Sequence, residues 1–199
     1  MKLLLSGFIA SILIFSACEK VDDPITGPTE LQKQNFNSNS TVTDRFDYEI
    51  IPLPPKGPGF IDSIFTVSKL INGLLGGNVI LNKTYLTPQG KLVTMLVNVK
   101  IPALSFFGQR NIRLTIDNDK AAVHCEPGMT FNRPLIMLQT FIGLDLSNTN
   151  TQDIDFVYIN DDGTIEDVPN SQIIVIKPLG LVTVISARLN HFSRYGWVR

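Results

Sequence analysis

The sequence predicts an all-β protein whose strands form an antiparallel β-sandwich. Short apolar runs recur along the chain, and turn-forming residues separate them at intervals of about ten residues, a spacing typical of sandwiches. The 14 Gly and 12 Pro argue against long uninterrupted helices. Strand and helix patterns do not alternate, so a doubly wound α/β fold is not expected.

Composition and charge fit a folded domain and disfavour a nucleic-acid partner. Hydrophobic residues make up 44% of the chain and charged residues 18%, which excludes wholesale disorder. The 17 Lys and Arg against 18 Asp and Glu give a formal net charge of −1. A nucleic-acid-binding protein normally carries a basic surface, so we expect no nucleic-acid partner.

The first 18 residues have the pattern of a secretory signal. Lys2 supplies a positive charge, residues 3–15 are almost entirely apolar, and the small residues Ser16 and Ala17 precede Cys18. The apolar run is shorter than the roughly 20 residues that a transmembrane helix needs. The alternative is an ordinary signal peptide in which the cysteine stands by chance.

This arrangement resembles the lipobox of bacterial lipoproteins. The resemblance implies that residues 1–17 are a signal peptide that is removed, and that Cys18 is the lipidation site. In that family the cysteine carries a diacylglyceryl group, and the new amine is often acylated, for example with palmitate. Glu19 stands where Asp favours inner-membrane retention in enteric lipoproteins, so the resemblance implies the outer membrane of a bacterial cell envelope.

A polar linker is predicted between the lipidation site and the folded domain. Residues 18–44 are rich in Asn, Ser and Thr and contain Pro24 and Pro28. About 25 flexible residues have a root-mean-square reach of roughly 25–30 Å. Residues 45–199 then form the β-sandwich domain.

The first elements of that domain are a strand, a loop and an ambiguous segment. Apolar and charged residues alternate over 45–50, which is the period of a half-buried strand. Four prolines in 52–59 predict a loop. Residues 60–75 fit both a helical stripe and a strand, so this element stays open.

The remaining elements are all predicted as strands, because each is a short alternating or continuous apolar run between turn residues. They lie at 79–81, 92–101, 112–116, 123–125, 135–141, 155–159, 165–168, 173–175, 181–187 and 192–198. The Asn-Asp-Asp-Gly sequence at 160–163 is a strong tight-turn signal. The two strands beside it are therefore expected to pair as a hairpin.

Three motifs occur in the order in which ZU5 domains carry them. They are Gly76-Gly77, Ile-Pro at 101–102 and Pro-Gly-Met-Thr-Phe-Asn-Arg-Pro at 127–134. Residues 75–138 thus resemble a ZU5 domain, although Ala103 stands where a second proline is usual. The resemblance implies a β-sandwich used in protein interaction or scaffolding, and it transfers no site residues. Residues 189–197 resemble the ending of bacterial envelope lipoproteins without an assigned activity.

Four residues near the C-terminus form the most suggestive polar and aromatic cluster: His191, Arg194, Tyr195 and Trp197. In a continuous strand, His191, Tyr195 and Trp197 share one face, and Arg194 lies on the other. Exposed aromatic rings beside a cation bind sugars or a partner protein. The alternative is that Tyr195 and Trp197 fill the core while Arg194 pairs with an acidic neighbour.

No pattern in the sequence indicates catalysis or a cofactor. Cys125 has His124 beside it, but adjacent side chains in a strand point to opposite faces, so we expect a buried structural cysteine. The histidines, the cysteine and the acidic segment 153–167 fit no metal-site spacing. The sequence lacks a nucleophile elbow, a phosphate loop and a dinucleotide fingerprint.

These patterns together predict a lipid-anchored cell-envelope module with a structural or protein-interaction role. Its expected partners are the membrane, through the N-terminal lipid, and an envelope protein. The alternative is a lipoprotein that binds a solute or carbohydrate through the C-terminal cluster.

Overall fold

The computed structural model describes residues 42–43, 48–58 and 65–199. The predicted signal peptide, the lipidation site Cys18, most of the linker and part of the predicted strand at 45–50 lie outside these residues. In the described part, no helix has the length and hydropathy needed to cross a membrane.

Twelve strands make up most of the described chain, with two single-turn 3-10 helices at Thr151–Asp153 and Lys177–Leu179. The strands are β1 Val42–Thr43, β2 Thr66–Asn72, β3 Gly77–Leu86, β4 Leu92–Ile101, β5 Gln109–Ile116, β6 Ala122–Glu126, β7 Thr130–Ile142, β8 Asp155–Ile159, β9 Ile165–Asp167, β10 Gln172–Ile176, β11 Leu181–His191 and β12 Arg194–Val198.

The strands form two antiparallel sheets. The larger sheet has the order β1-β9-β8-β12-β6-β5-β2, and the smaller has the order β10-β11-β7-β4-β3. Every pairing in both sheets is antiparallel. The predicted all-β sandwich is confirmed, and β8 and β9 pair as the predicted hairpin.

The main core lies between the two sheets and follows the alternation of their strands. In β4, Val93, Met95, Val97 and Val99 are fully buried, while the intervening residues are at least partly exposed. The largest buried side chains include Trp197, Tyr85, Tyr195, Phe141 and Phe156. These aromatic rings supply much of the apolar area that stabilises the sandwich.

A second, smaller core lies on the outer face of the larger sheet, the face that points away from the smaller sheet. Its buried members alternate with main-core residues along β6, β8 and β12, which places them on the opposite face. They are Ala122, Val157, Ile159, Ile165 and Val198. Tyr48 and Ile50 pack against this cluster, and the Tyr48 hydroxyl donates to the carbonyl of Gly163.

Some boundaries differ from the prediction, because strand pairing decides them and local pattern does not. The open segment 60–75 contains a strand, β2, held by seven residue pairs with β5. Ile50 forms only an isolated bridge with Val198. Val42 and Thr43, which the sequence places in the linker, pair with β9. Strand β7 begins five residues before the predicted start, along the end of β11.

Candidate functional site

The predicted C-terminal cluster lies where β11 ends and β12 begins. Tyr195 is 2% exposed and Trp197 is fully buried, and both belong to the core between the sheets. The Tyr195 hydroxyl donates to the backbone carbonyl of His191 over 2.6 Å. The ring of Trp197 meets that of Phe156 edge-on at 5.3 Å.

The two largest rings of this cluster are therefore part of the core, which is the alternative that the sequence left open. Burial raises the pKa of the Tyr195 hydroxyl, so it stays neutral and donates its hydrogen bond. A sugar cannot stack on rings that lie between two sheets. The carbohydrate-binding hypothesis thereby loses the feature that motivated it.

His191 stands at the edge of this aromatic group and is half-buried. Its ring meets the ring of Tyr158 edge-on at 4.5 Å between centroids, and Tyr158 in turn lies 5.5 Å from Tyr195. Because residues 192 and 193 are not part of β11 or β12, the continuous strand face predicted for 191–197 is interrupted. His191 thus packs against the core aromatics from outside β12.

Arg194 belongs to an ionic cluster on the outer face of the larger sheet. It lies opposite His124 in the register of β12 and β6. Both side chains contact the carboxylate of Asp117, which follows β5: the Arg194 guanidinium binds one oxygen, and His124 Nε2 lies 3.0 Å from the other. The side chains of Asp117 and Arg194 are only 10% and 27% exposed.

This ionic cluster links three neighbouring strands of the larger sheet, because Asp117 follows β5, His124 lies in the middle of β6 and Arg194 begins β12. A largely buried carboxylate that is shared by two side chains is already occupied, so the simplest chemistry of the cluster is structural. The sequence left open an acidic partner for Arg194 but did not identify Asp117, which is 77 positions away. The local signal was weak: a carboxylate directly after a strand is also typical of an exposed turn.

Cys125 is buried on the opposite face of β6 from His124 and forms no disulfide. Burial, with a smaller contribution from the charge of Glu126, raises the pKa of its thiol. A neutral, inaccessible thiol is a poor nucleophile. The cysteine therefore packs as a small apolar side chain, as its strand position predicted.

The acidic turn between β8 and β9 is closed by its own hydrogen bonds. The Asp162 carboxylate accepts from the backbone nitrogen of Thr164 at 2.9 Å and from its hydroxyl at 2.7 Å. These two bonds lower the pKa of Asp162. Within residues 48–58 and 65–199, no group of three or more His, Cys, Asp or Glu side chains is placed to hold a metal ion.

Two loops at one end of the sandwich expose a set of large apolar side chains. The β2–β3 loop and the β4–β5 loop meet there, with the amide of Gly73 donating to the carbonyl of Gly108 over 2.9 Å. The exposed side chains are Leu74 at 44%, Leu75 at 79%, Leu104 at 56% and Phe107 at 74%. We call these four residues the apolar corner.

The β4–β5 loop that carries half of the apolar corner is held by buried neighbours. Ser105 is fully buried and donates from its hydroxyl to the carbonyl of Pro102 over 2.7 Å. Its own carbonyl accepts from the amide of Asn132 over 2.8 Å. Phe106 is buried against Gly73, where any side chain would collide with its ring. The exposed side chains of Leu104 and Phe107 therefore extend from a loop whose backbone is held in place.

The apolar corner was not predicted from the sequence, although a signal was present. Leu74 and Leu75 stand between Gly73 and Gly76, in a loop too short to fold back on itself. Gly76 approaches the end of β4 so closely that a side chain would overlap the carbonyl of Ile101. Because the backbone of this loop lies so close to β4, its apolar side chains have little room to reach the core.

The candidate sites differ in exposure. Tyr195 and Trp197 are buried, the ionic cluster has a largely buried carboxylate at Asp117 and a half-exposed His124, and the apolar corner presents its side chains to solvent. No family model, curated protein or solved structure matches this chain.

Proposed function

We propose that this chain is a lipid-anchored interaction module of a bacterial cell envelope, which binds through its apolar corner and performs no catalysis. The observation that carries the proposal is the exposure of four large apolar side chains on two braced loops. Contiguous exposed apolar side chains are typical of interaction sites in folded proteins. Loops on a rigid sandwich are also the usual place for recognition.

The side chains with chemically reactive or ligand-binding groups are engaged in the fold. Tyr195 and Trp197 fill the core, Arg194 holds Asp117, and Cys125 is buried with a raised thiol pKa. This arrangement supports a role in which the sandwich positions a binding surface. It matches the role that the resemblance to ZU5 domains implies.

The anchoring half of the proposal is supported by residues 1–18. Several acyl chains on one cysteine give stable membrane attachment, whereas a single chain is marginal. The lipobox resemblance at Cys18 supplies that chemistry, and the polar linker lets the domain stand away from the bilayer.

Replacing Cys18 tests the anchor. Cys18→Ala should lose acyl labelling, because the thiol that carries the diacylglyceryl group is gone. Cys125→Ala is the matched control, since it removes the other thiol of the chain and should keep the label. An acyl label that persists on Cys18→Ala would overturn the anchor.

Photo-crosslinking from the apolar corner tests the interaction. A photoreactive side chain at Phe107 should form adducts with an envelope component in intact cells. The control is the same side chain at Leu92, which is 56% exposed at the opposite end of β4. Equal adducts from both positions, or none from Phe107, would contradict binding through this corner.

A further inference from the structure

We infer that the apolar corner binds an anionic lipid surface, with its apolar side chains at the hydrocarbon boundary and neighbouring cations at the headgroups. This inference names the partner of the proposed interaction module and therefore rests on that proposal. It is carried by a charge asymmetry in the part of the sandwich that forms the corner.

The strands and loops that build the apolar corner contain no carboxylate side chain. Residues 65–116, which include β2 to β5, contain no Asp or Glu. The same segment carries six cations: Lys69, Lys83, Lys91, Lys100, Arg110 and Arg113. The protein as a whole is close to neutral, so the positive charge is concentrated in this region.

Four exposed cations lie close to the apolar corner. Lys69 Nζ lies 3.0 Å from the carbonyl of Asn78, at the start of β3. Lys100 is the residue before the end of β4, and Arg110 is the second residue of β5. Arg133 donates to the carbonyl of Ala103, beside Leu104, over 3.2 Å. Cations therefore border both loops.

Among the described residues, the carboxylates at this end of the larger sheet are either paired or distant. Glu126, at the end of β6, lies 3.5 Å from the guanidinium of Arg113. Asp161 and Asp162 are on the β8–β9 turn, four to five strands from β2 in the sheet. At about 4.8 Å between strands, that separation is roughly 20 Å. A flat anionic surface can therefore contact the apolar corner without contacting the acidic turn.

The exposed apolar side chains and the cations beside them decide which partner fits the apolar corner. Leu and Phe flanked by Lys and Arg are the residues with which interfacial segments bind anionic bilayers. A second copy of this chain would bring two cationic regions together, and their repulsion opposes such a dimer. An anionic bilayer complements both the charge and the apolar surface.

The backbone conformation of Leu104 supports the view that the apolar corner has its shape before a partner binds. Its φ of 67° lies in the left-handed region, which a leucine rarely adopts. Ser105 and Phe106, the next two residues, are buried and hold this conformation. Strained residues that their surroundings fix in place are characteristic of functional loops. In this conformation the Leu104 side chain is 56% exposed.

Tryptophan placed at either end of β4 tests the inference in the full chain. Phe107→Trp puts the indole in the apolar corner, and Leu92→Trp puts it at the opposite end. Because β4 rises about 3.3 Å per residue, its two ends are roughly 30 Å apart. Both variants keep the same N-terminal segment and the buried Trp197, so any difference reports the position of the new indole.

Vesicles of phosphatidylcholine and phosphatidylglycerol in equal parts should shift the emission of Phe107→Trp to shorter wavelength. Brominated lipid in those vesicles should quench that emission and leave Leu92→Trp largely unquenched. With phosphatidylcholine alone or in high salt, partitioning through the corner should fall by about tenfold or more, because the headgroup charge is absent or screened.

Charge reversal separates the electrostatic contribution. Lys100→Glu with Arg110→Glu, in the Phe107→Trp background, should weaken partitioning by about tenfold or more. Lys83→Glu with Lys91→Glu makes the same change in net charge away from the corner and should have a much smaller effect. Far-UV circular dichroism confirms that both double variants fold.

Each result decides between the lipid inference and the interaction proposal. Equal responses with neutral and anionic vesicles would overturn the anionic part of the inference. If Phe107→Trp responds to no vesicle while the photoreactive side chain at Phe107 captures a protein, the lipid inference fails and the interaction proposal stands. If Phe107 responds to neither, both fail.

Discussion

The pairing of Arg194 with Asp117 predicts a measurable coupling energy. The perturbation is a double-mutant cycle with Asp117→Asn, Arg194→Met and the combined variant. The two side chains are 10% and 27% exposed, so Asp117→Asn leaves Arg194 without its carboxylate, and Arg194→Met leaves the buried Asp117 with His124 alone. Hydrogen bonds to charged groups in such positions contribute about 1.5–3 kcal/mol.

The same sheet supplies a matched control pair. Arg113 and Glu126 lie 3.5 Å apart, and their side chains are 52% and 54% exposed. Exposed ion pairs of this kind couple by about 0.2–1 kcal/mol, because water screens the charges and both side chains lose conformational freedom. The expected difference between the two coupling energies is therefore about 0.5–3 kcal/mol, with the pair of Arg194 and Asp117 the stronger.

Urea denaturation followed by tryptophan fluorescence measures both cycles. Trp197 is the one tryptophan in the sequence and is fully buried, so its emission reports exposure of the core. Far-UV circular dichroism gives an independent transition. Coupling energies that agree within about 0.5 kcal/mol for the two pairs would refute the structural assignment of Arg194. Arg194 would then be free to serve as the ligand contact that its sequence position suggested.

Three further predictions concern buried groups. Cys125 should resist iodoacetamide in the folded protein and react once urea unfolds it; alkylation at the rate of a free thiol without urea would contradict its burial. Burial raises the pKa of Tyr85 from 10.0 to about 12, and its hydroxyl donates to Pro54 over 2.6 Å. Its neutral form is favoured by folding, so stability should be intact below about pH 10 and fall as the pH rises towards 12, with a shallower fall in Tyr85→Phe. Gln139 is fully buried, and no described residue forms a hydrogen bond with its side-chain amide. Gln139→Met should therefore raise the free energy of unfolding by about 1–3 kcal/mol, and a lower melting temperature would show that the amide has a partner.

The strand predictions that match the structure best are for two strands in the interior of a sheet. The predicted strand at 92–101 and the first hairpin strand at 155–159 match β4 and β8 residue for residue. Both lie inside a sheet with partners on each side. In β4 burial alternates along the strand, whereas in β8 both faces are covered, because Phe156 lies in the main core and Val157 in the second core.

Edge strands were harder to predict, because they pair with only one neighbouring strand and their residues make fewer tertiary contacts. Strand β2 lies at the edge of the larger sheet, and six of its seven residues are half-buried or exposed, including Leu70 at 63% exposure. Its apolar residues therefore do not report a single buried face, and a helical stripe fitted them equally well. Pairing with β5 decided the outcome.

The sequence by itself determined the fold class, the positions of most strands along the chain and the burial of Cys125. It did so because alternating polarity is a local property that a chain displays whatever it later packs against. It also predicted the lipid anchor at Cys18, which awaits the labelling experiment.

Only the tertiary structure decided which candidate residues are accessible. Local pattern placed Tyr195 and Trp197 on one side of a strand but could not say whether that side met solvent or a second sheet. It could not bring Asp117 to Arg194, or join two loops into the apolar corner. Those relations depend on strands that are distant in sequence becoming neighbours, and the period of a single strand carries no information about its partners.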